Sequence, residues 1–344
     1  MTTETNRRWL LASRPQGMAA ESNFERGDEP RPAVADGRLL VRTLYLSVDP
    51  AMRGWMTEDP DYVAPIPLGS VMPSGGLGQV VESRHDDFRP GDFVSGLLGW
   101  QDYCLTDGRG PAPLQTFEPV HALPTYLGTL GGTGLTAYFG MREIARPKEG
   151  ETVVVSGAAG ATGSVAAQIG KILQCRVIGI AGGAGKCGWL TDDLGLDGAI
   201  DYKAEDVGAR LDELCPGGVD VYFDNVGGST LGVLLDRMNR WGRIAVCGMI
   251  SGYNAGAPQP GPANLFRLIT RRIRMEGFLV PDYAPRFKEA RRQLSAWLAT
   301  GALRSHEDIR EGFESIPGTF LDLFRGGNTG KLMVKLADPP LRTG

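Results

Sequence analysis

The chain has 344 residues, more than the roughly 250–300 at which a single hydrophobic core stops growing, so two domains are expected. Apolar residues at 42% and charged residues at 22% place it among ordinary globular proteins, and a formal charge of −4 argues against nucleic acid or an anionic membrane surface as a partner. No window approaches the about 18 uninterrupted apolar residues of a membrane span, and the opening MTTETNRRWLLASRPQG has too short an apolar run for a signal peptide.

Residues 1–130 are rich in Gly and Pro. GRLLVRTLYLSV (37–48), GQVVES (78–83) and GDFVSGLLGW (91–100) read as strands separated by turn signals such as RPGD (89–92), which predicts a mostly β domain. From about residue 131 the texture changes. ETVVVSG (151–157) is a short apolar strand, and a helix is expected from Ala161 to Leu173. CRVIGIAG (175–182) is a second strand, GWLTDDLGL (188–196) a short helix and GAIDYK (198–203) a third strand. GVDVYFDNVGG (218–228), GRIAVCGMISGY (242–253) and IRMEGFLV (273–280) complete a set of six. Strands alternating with helical segments predict a parallel sheet with crossovers, and their near-continuous apolar runs fit burial on both faces. Residues 284–300 form an amphipathic helix with Phe287, Ala290, Leu294 and Leu298 on one face. The tail from His306 reads as helix, glycine turn and final strand. It is expected to return to the first domain, so that 1–130 with 301–344 form one domain and 131–300 an inserted nucleotide-binding domain.

The stretch SGAAGATGS (156–164) carries glycines at 157, 160 and 163 between the first strand and the helix. A tight strand–helix turn needs positive φ, which glycine tolerates. A missing Cβ lets a diphosphate approach the backbone, and the helix N-terminus offers it unpaired N–H groups and a positive dipole end. Gly163 lets the helix pack close to the sheet. The pattern has its required setting: a strand before, a helix after and a second strand beyond.

An NAD site usually has Asp or Glu at the end of the second strand, bonded to the ribose 2′-OH. Here that strand ends VIGIAGGAGK, with no carboxylate before Asp192. The first charged group is Lys186, whose ammonium suits a 2′-phosphate, although a solvated helix lysine would look the same in sequence. NADP(H) is the expected cofactor. The five cysteines, Cys104, Cys175, Cys187, Cys215 and Cys247, are odd in number and form no CxxC, which fits a reducing compartment; a cytoplasmic protein is expected.

The chain resembles the medium-chain dehydrogenase/reductase superfamily. Within it, the chain is similar to the zinc-free branch of leukotriene B4 12-hydroxydehydrogenase/prostaglandin reductase, plant alkenal double-bond reductases and bacterial curcumin reductase. The markers run through almost the whole chain: YLSVDPAMRGWM (45–56), GTGLTAYFG (132–140), AAGATGS (158–164), IDYK (200–203), YFDNVGG (222–228), GRIAVCGMISGYN (242–254), GFLV (277–280) and GGNTGKLMV (326–334). The resemblance implies an α/β fold with a GroES-like mostly β domain and a doubly wound Rossmann sheet, a homodimer, and NADPH-dependent reduction of the C=C bond of α,β-unsaturated ketones or aldehydes. It implies that Gly160, Ala161, Thr162 and Gly163 cradle the pyrophosphate and that Lys186 and Tyr202 meet the 2′-phosphate. Asn225 would line the groove. The run from Cys247 through Ile250 and Ser251 to Tyr253, with Phe278, Leu279 and Val280, would follow the nicotinamide half. Asn328 would hold the cofactor from the return. GGAGK departs from relatives in lacking the acidic residues that often precede the lysine.

Zinc-dependent relatives carry a Cys and a GHE stretch in the first domain plus a four-cysteine lobe. The corresponding region here reads PLGSVMPSGGLGQVVES, and only Cys104 lies in that domain, so no zinc is expected. Chemistry then falls to the cofactor and to donors beside the substrate. Hydride goes to the β-carbon, charge builds on the carbonyl oxygen, and a hydroxyl stabilises it. The nicotinamide ribose 2′-OH and Tyr253 are the candidates, with Tyr253 or water returning a proton to the α-carbon. Tyr253 could equally be a loop tyrosine packing on the cofactor edge. Tyr62 could reach the cleft from the first domain or be a surface tyrosine. Met52 and Arg53 either shape the cleft floor or merely start a capped helix, and Met249 is either substrate wall or core. The Pro/Gly-rich stretch 252–266 is a candidate lid. The expected substrate is a hydrophobic enone or enal. Two alternatives stand beside it: a quinone reductase of the ζ-crystallin type, and an inactive nucleotide-binding partner protein.

Overall fold

A computed structural model describes residues 4–60, 63–110, 112–256 and 260–341. The chain divides into two compact units, the first comprising residues 1–127, 307–328 and 332–344 and the second residues 128–306 and 329–331.

The first unit opens with strands β1 (Thr5–Leu11), β2 (Phe24–Pro30) and β3 (Leu39–Ser47), then a single-turn helix α1 (Met52–Trp55). Strands β4 (Gly75–Ser83), β5 (Phe93–Leu97), β6 (Tyr103–Thr106) and β7 (Gln115–Phe117) follow. The second unit carries α2 (Gly132–Phe139), β8 (Thr152–Ser156), α3 (Ala161–Ile172), β9 (Arg176–Ala181), α4 (Ala184–Gly188), β10 (Gly198–Asp201), α5 (Val207–Leu214), β11 (Val219–Asp224), α6 (Gly228–Leu235), β12 (Met238–Val246), α7 (Phe266–Arg271), β13 (Arg274–Gly277) and α8 (Phe287–Ala299). The return consists of β14 (Glu307–Glu311), α9 (Ile316–Arg325) and β15 (Lys331–Lys335).

In the first unit a seven-stranded sheet runs in the order β14-β15-β3-β4-β5-β7, with β6 also on β3, and β1 and β2 form a separate antiparallel pair. The return is part of this core rather than an appendage. Phe313, Ile316 and Phe320 pack with Leu11, Phe24, Met52 and Trp100, and the Trp100 ring lies 5.0 Å from Phe24 and 5.8 Å from Phe320. The β1–β2 hairpin was not expected from sequence. TNRRWLL and FERGDEP do not alternate, because both carry charges that pair at the surface instead of a clean apolar face.

The hairpin is pinned by a buried charge. Asp102 is 3% exposed and accepts from Arg7 Nε at 2.6 Å and Arg42 Nη1 at 2.7 Å. Burial alone would raise this carboxyl, but the hydrogen bonds and charges of Arg7 and Arg42 outweigh it and hold it below the ordinary carboxylate range. A depressed native pKa contributes stability that is complete above the unfolded carboxylate value and is lost as pH falls through the native one. Asp102→Asn is therefore expected to destabilise the first unit by about 1–2 kcal/mol near neutrality, an amount reduced by the partly exposed Arg7 side chain. The difference from the unsubstituted protein should shrink below about pH 4. Urea unfolding at pH 7 and pH 3.5 measures both; an equal difference at the two values would refute the electrostatic assignment.

In the second unit six strands form an all-parallel sheet in the order β10-β9-β8-β11-β12-β13. Numbered from β8, this is 3-2-1-4-5-6, the doubly wound dinucleotide-binding order. Val153, Val154 and Val155 of β8 and Val221, Tyr222 and Phe223 of β11 are fully buried, as their unbroken apolar runs require. On α8, Ala290 and Leu294 are buried and Phe287 and Leu298 half-buried; the helix starts later than expected, at Phe287, because Pro285 sits in the preceding 3₁₀ turn. Among the described residues no helix is long and apolar enough to cross a membrane.

Candidate active site

The glycine turn lies where β8 ends and α3 begins, at the carboxyl edge of the parallel sheet. Gly157 has φ +58°. Gly160 is the N-cap of α3, in extended conformation and without any side chain to cap the first turn. The first N–H groups of a helix have no partner within it, so this end is built to receive acceptors from outside. A Cβ on Gly163 would stand 2.2 Å from Gly157 O and 2.9 Å from Ala158 Cα, inside the turn itself. The cradle exists because that atom is missing, and the residues present fit a dinucleotide pyrophosphate. The turn is closed from behind by a segment that sequence reasoning did not link to it. Gly330 N donates to Ala159 O at 2.7 Å, and Gly330 bridges Gly160. Gly330 has φ +69°, and a Cβ there would lie 2.2 Å from His306 O. Some 170 residues separate the partners, and no local pattern announces such a contact.

The turn after β9 holds the residues expected to meet the adenosine end. Gly183 has φ +103° and starts α4, whose first turn carries the half-buried Lys186. Tyr202 is 53% exposed. A Cβ on Gly182 would meet its ring at 2.8 Å and the Lys203 stem at 2.9 Å. Lys186 and Tyr202 are thus brought to one turn from two different strand ends, and Lys203 joins them. The structure also adds an acid that the search along the second strand could not see. Asp201 pairs with Ala181 in the β10–β9 register, and its Oδ1 accepts from Gly183 N at 2.8 Å and Lys203 N at 3.0 Å. This oxygen shapes the turn through two amides.

The other half of the crevice lies at the ends of β11 and β12. Asn225 sits against Gly157 and donates from Nδ2 to Ser156 O at 2.7 Å. The following loop and the turn after β12 are hydrogen-bonded to each other. Cys247 N donates to Asp224 O, Ile250 N to Asn225 O and Ser251 N to Val226 O, and Ser251 Oγ donates to Val226 O at 2.6 Å. The Cys247 thiol is pushed up to about 12, by burial first and the Asp224 charge second, so it is no nucleophile near neutrality. Met249 is exposed rather than core. Its N–H donates to the Tyr253 hydroxyl at 3.3 Å. Phe278 packs its ring on Phe223 and against Gly140, while Leu279 is exposed and Val280 opens a 3₁₀ turn.

The remaining expected residues are not part of this unit. Met52 is fully buried in the core of the first unit, which differs from the cleft-floor expectation: its whole side chain is occupied by packing. The Arg53 guanidinium is buried as well and donates to Gly17 O at 2.7 Å, with burial lowering its pKa. Asn328 belongs to the first unit, just before Thr329–Lys331 joins the second. Tyr62 and residues 257–259 of the candidate lid lie outside the described residues.

A parallel sheet in this order, opened by a bare glycine cradle, defines the class of doubly wound dinucleotide-binding proteins. Residues 7–114 match the family described as the N-terminal domain of oxidoreductase, and residues 161–298 the family described as zinc-binding dehydrogenase. The chain is 42% identical to the NADPH-dependent curcumin reductase of Escherichia coli (strain K12), over 97% of this chain and 98% of that protein. It is 40% identical to the NADP(+)-dependent 2-alkenal reductase of Nicotiana tabacum, over 97% and 98%. The crystal structure of CurA from Vibrio vulnificus in complex with NADPH superposes with a TM-score of 0.91 at 41% identity, over 97% of this chain and 100% of that one. The chain belongs to the medium-chain dehydrogenase/reductase family. The zinc of the family description finds no fitting donor set: among the described residues no three His, Cys, Asp or Glu side chains are grouped to hold a metal ion. Cys104, the one cysteine of the first unit, is buried with its thiol pushed up to about 11.

Proposed function

We propose that the protein is an NADPH-dependent reductase of the C=C bond of α,β-unsaturated ketones and aldehydes. The observation that carries this reading is the cradle at Gly157–Gly163 in a chain related along its whole length to reductases of curcumin and 2-alkenals. When bound, NADPH supplies the hydride that goes to the substrate's β-carbon. The protein's part is placement and proton supply. The α3 N-terminus and the bare turn hold the pyrophosphate, and Lys186 and Tyr202 hold the 2′-phosphate. Asn225, Cys247, Ile250, Ser251, Phe278, Leu279 and Val280 border the nicotinamide half. Met249 offers apolar surface to a hydrophobic enone.

Tyr253 is the residue for the developing enolate. Its hydroxyl accepts the Met249 N–H, and a phenol accepting from an amide still carries its own donor proton, polarised by that bond. Donation to the carbonyl oxygen, or protonation of the α-carbon, needs no unusual pKa. Tyr253→Phe is expected to lower kcat on the best enone by roughly tenfold while leaving the Kd for NADPH within about twofold. Fluorescence titration with NADPH and an oxidation assay over enals, enones, a diarylheptanoid and a naphthoquinone measure both. Full activity of the variant would remove the role, and turnover of the naphthoquinone alone would turn the assignment toward a quinone reductase.

The reading extends to a homodimer. Strand β13 closes the six-stranded sheet with all four residues exposed, and Phe266, Ile269 and Met275 around it are exposed apolar groups. Light scattering of the purified protein tests it. Five unpaired cysteines support a reducing compartment such as the cytoplasm.

A further inference from the structure

Below the nicotinamide half of the crevice lies a carboxylate that the mechanism above does not use. Asp224, the last residue of β11, has no exposed surface. Four donors converge on its Oδ1: the Tyr222 hydroxyl at 2.7 Å, the Ser156 hydroxyl at 3.1 Å, and the N–H groups of Val226 and Gly227, each at 2.9 Å. Its Oδ2 is buried with no hydrogen-bond partner among the described residues. Burying such an oxygen is costly, and an apolar side chain would fill the space more cheaply. The arrangement is explained by what Oδ1 holds in place.

Ser156 ends β8, Asp224 ends β11, and Gly227 and Gly228 have φ +68° and +57°. Two successive glycines in the left-handed region do not define a loop by themselves, since glycine reaches many other conformations. The Asp224 carboxylate supplies the definition by binding the two N–H groups that precede the bend. The chain's next contacts follow from that. The carbonyls of Asp224, Asn225 and Val226 face the turn after β12 and accept from Cys247, Gly248, Ile250 and Ser251. A Cβ on Gly227 would meet Met249 at 3.2 Å, and one on Gly228 would meet Ser251 Oγ at 2.9 Å, so the two loops are in close contact. Met249 N in turn meets the Tyr253 hydroxyl. One buried carboxylate therefore sets the platform that carries both the nicotinamide half of the groove and the proposed proton donor.

We propose that Asp224 is a positioning residue for the nicotinamide half of the cofactor site, fixing the 225–228 loop and, through it, the 247–251 turn and Tyr253. The proposal rests on the NADPH reading given above. It differs from a general structural role in being one-sided: the Asp224 contacts described above fall at the ends of β8, β11 and β12, whereas the adenosine end at Gly182, Gly183, Lys186 and Tyr202 hangs from β9 and β10.

The test compares NADPH with 2′,5′-ADP, which carries the adenosine half alone, by calorimetric titration of the full-length protein. Wild type is expected to bind both; failure to bind either defeats the NADPH reading itself, separately from the present proposal. In Asp224→Asn a neutral amide oxygen replaces the charged one that holds four donors. NADPH should bind on the order of tenfold more weakly, with 2′,5′-ADP within about twofold of wild type. Tyr222→Phe, which removes one donor and leaves the carboxylate, should show the same one-sided loss at roughly threefold and covers the case in which Asp224→Asn does not fold. Unchanged NADPH affinity in a folded variant, or equal loss of both ligands, overturns the proposal.

Discussion

Gly163→Val is expected to abolish NADPH binding and to lower the thermal midpoint of the second unit. The atom that any side chain adds at this position would lie 2.2 Å from Gly157 O, 2.8 Å from Gly157 C and 2.9 Å from Ala158 Cα. All three are backbone, so no rotamer change relieves the overlap. Either α3 moves off the sheet or the turn opens, and both destroy the cradle. Overpacking of this kind costs about 1–3 kcal/mol for a single methyl, so Gly163→Ala should already be destabilised by an amount near the upper end. Gly160→Ala, with its Cβ 3.2 Å from Gly157 O, should be milder. Gly185→Ala is the control. Nothing lies within 4 Å of the added atom, the position is helical and φ is not positive, so it should be neutral or slightly stabilising. Thermal melts with and without NADPH order the series. A Gly163→Val protein that binds NADPH as wild type does would show that the pyrophosphate is held elsewhere.

The second large effect is on the choice between NADPH and NADH. Lys186→Ala should reduce the kcat/KM preference for NADPH by roughly 10- to 100-fold, since a charge-assisted hydrogen bond contributes about 1.5–3 kcal/mol. Lys186→Glu should go further, by about 10²–10³-fold in the ratio, because it adds repulsion of the phosphate to loss of the bond. The change should fall on the NADPH arm, with NADH turnover little altered. High salt should narrow the gap, as Lys186 is only half-buried and a charge pair within reach of solvent is partly screened. Lys171→Ala serves as control: that ammonium binds Asp197 at 2.7 Å at the far end of α3, and its loss should leave the ratio unchanged. An unaltered ratio in Lys186→Glu would move 2′-phosphate recognition to other groups at the same turn, of which Lys203 is the nearest cation to Gly182.

Much of the second unit was legible in sequence for one reason. A strand buried on both faces must be apolar along its whole length, so VVV in β8, VIGI in β9 and VYF in β11 announce themselves without reference to neighbours. The glycine turn was legible for a related reason: positive φ at Gly157 and the clash at Gly163 are met within a few residues of chain, so the requirement is written locally. The β1–β2 hairpin was not, because its strands hold each other through charged side chains and through Asp102, which lies in a different part of the chain.

The candidate site divides in the same way. Lys186 and Tyr202 could be named from two short motifs, yet the carboxylate of Asp201 at the same turn could not be located by reading along the second strand, since β10 brings it there by lateral pairing. Tyr253 could be named, but the Met249 amide that donates to its hydroxyl could not. Met52 and Arg53 stand next to a helix start that looked functional, and packing placed both inside the first unit.

What the amino-acid order determined alone is the inventory and the local geometry: six parallel strands, a turn stripped of Cβ atoms and an ammonium after the second strand. Those are consequences of side-chain chemistry and of dihedral limits acting within one element. The closure of the glycine turn by Gly330, the convergence of four donors on Asp224 and the insertion of Phe313 and Phe320 into the first core were decided by tertiary structure. Each depends on groups far apart in the chain, whose meeting is set by sheet register and packing rather than by spacing.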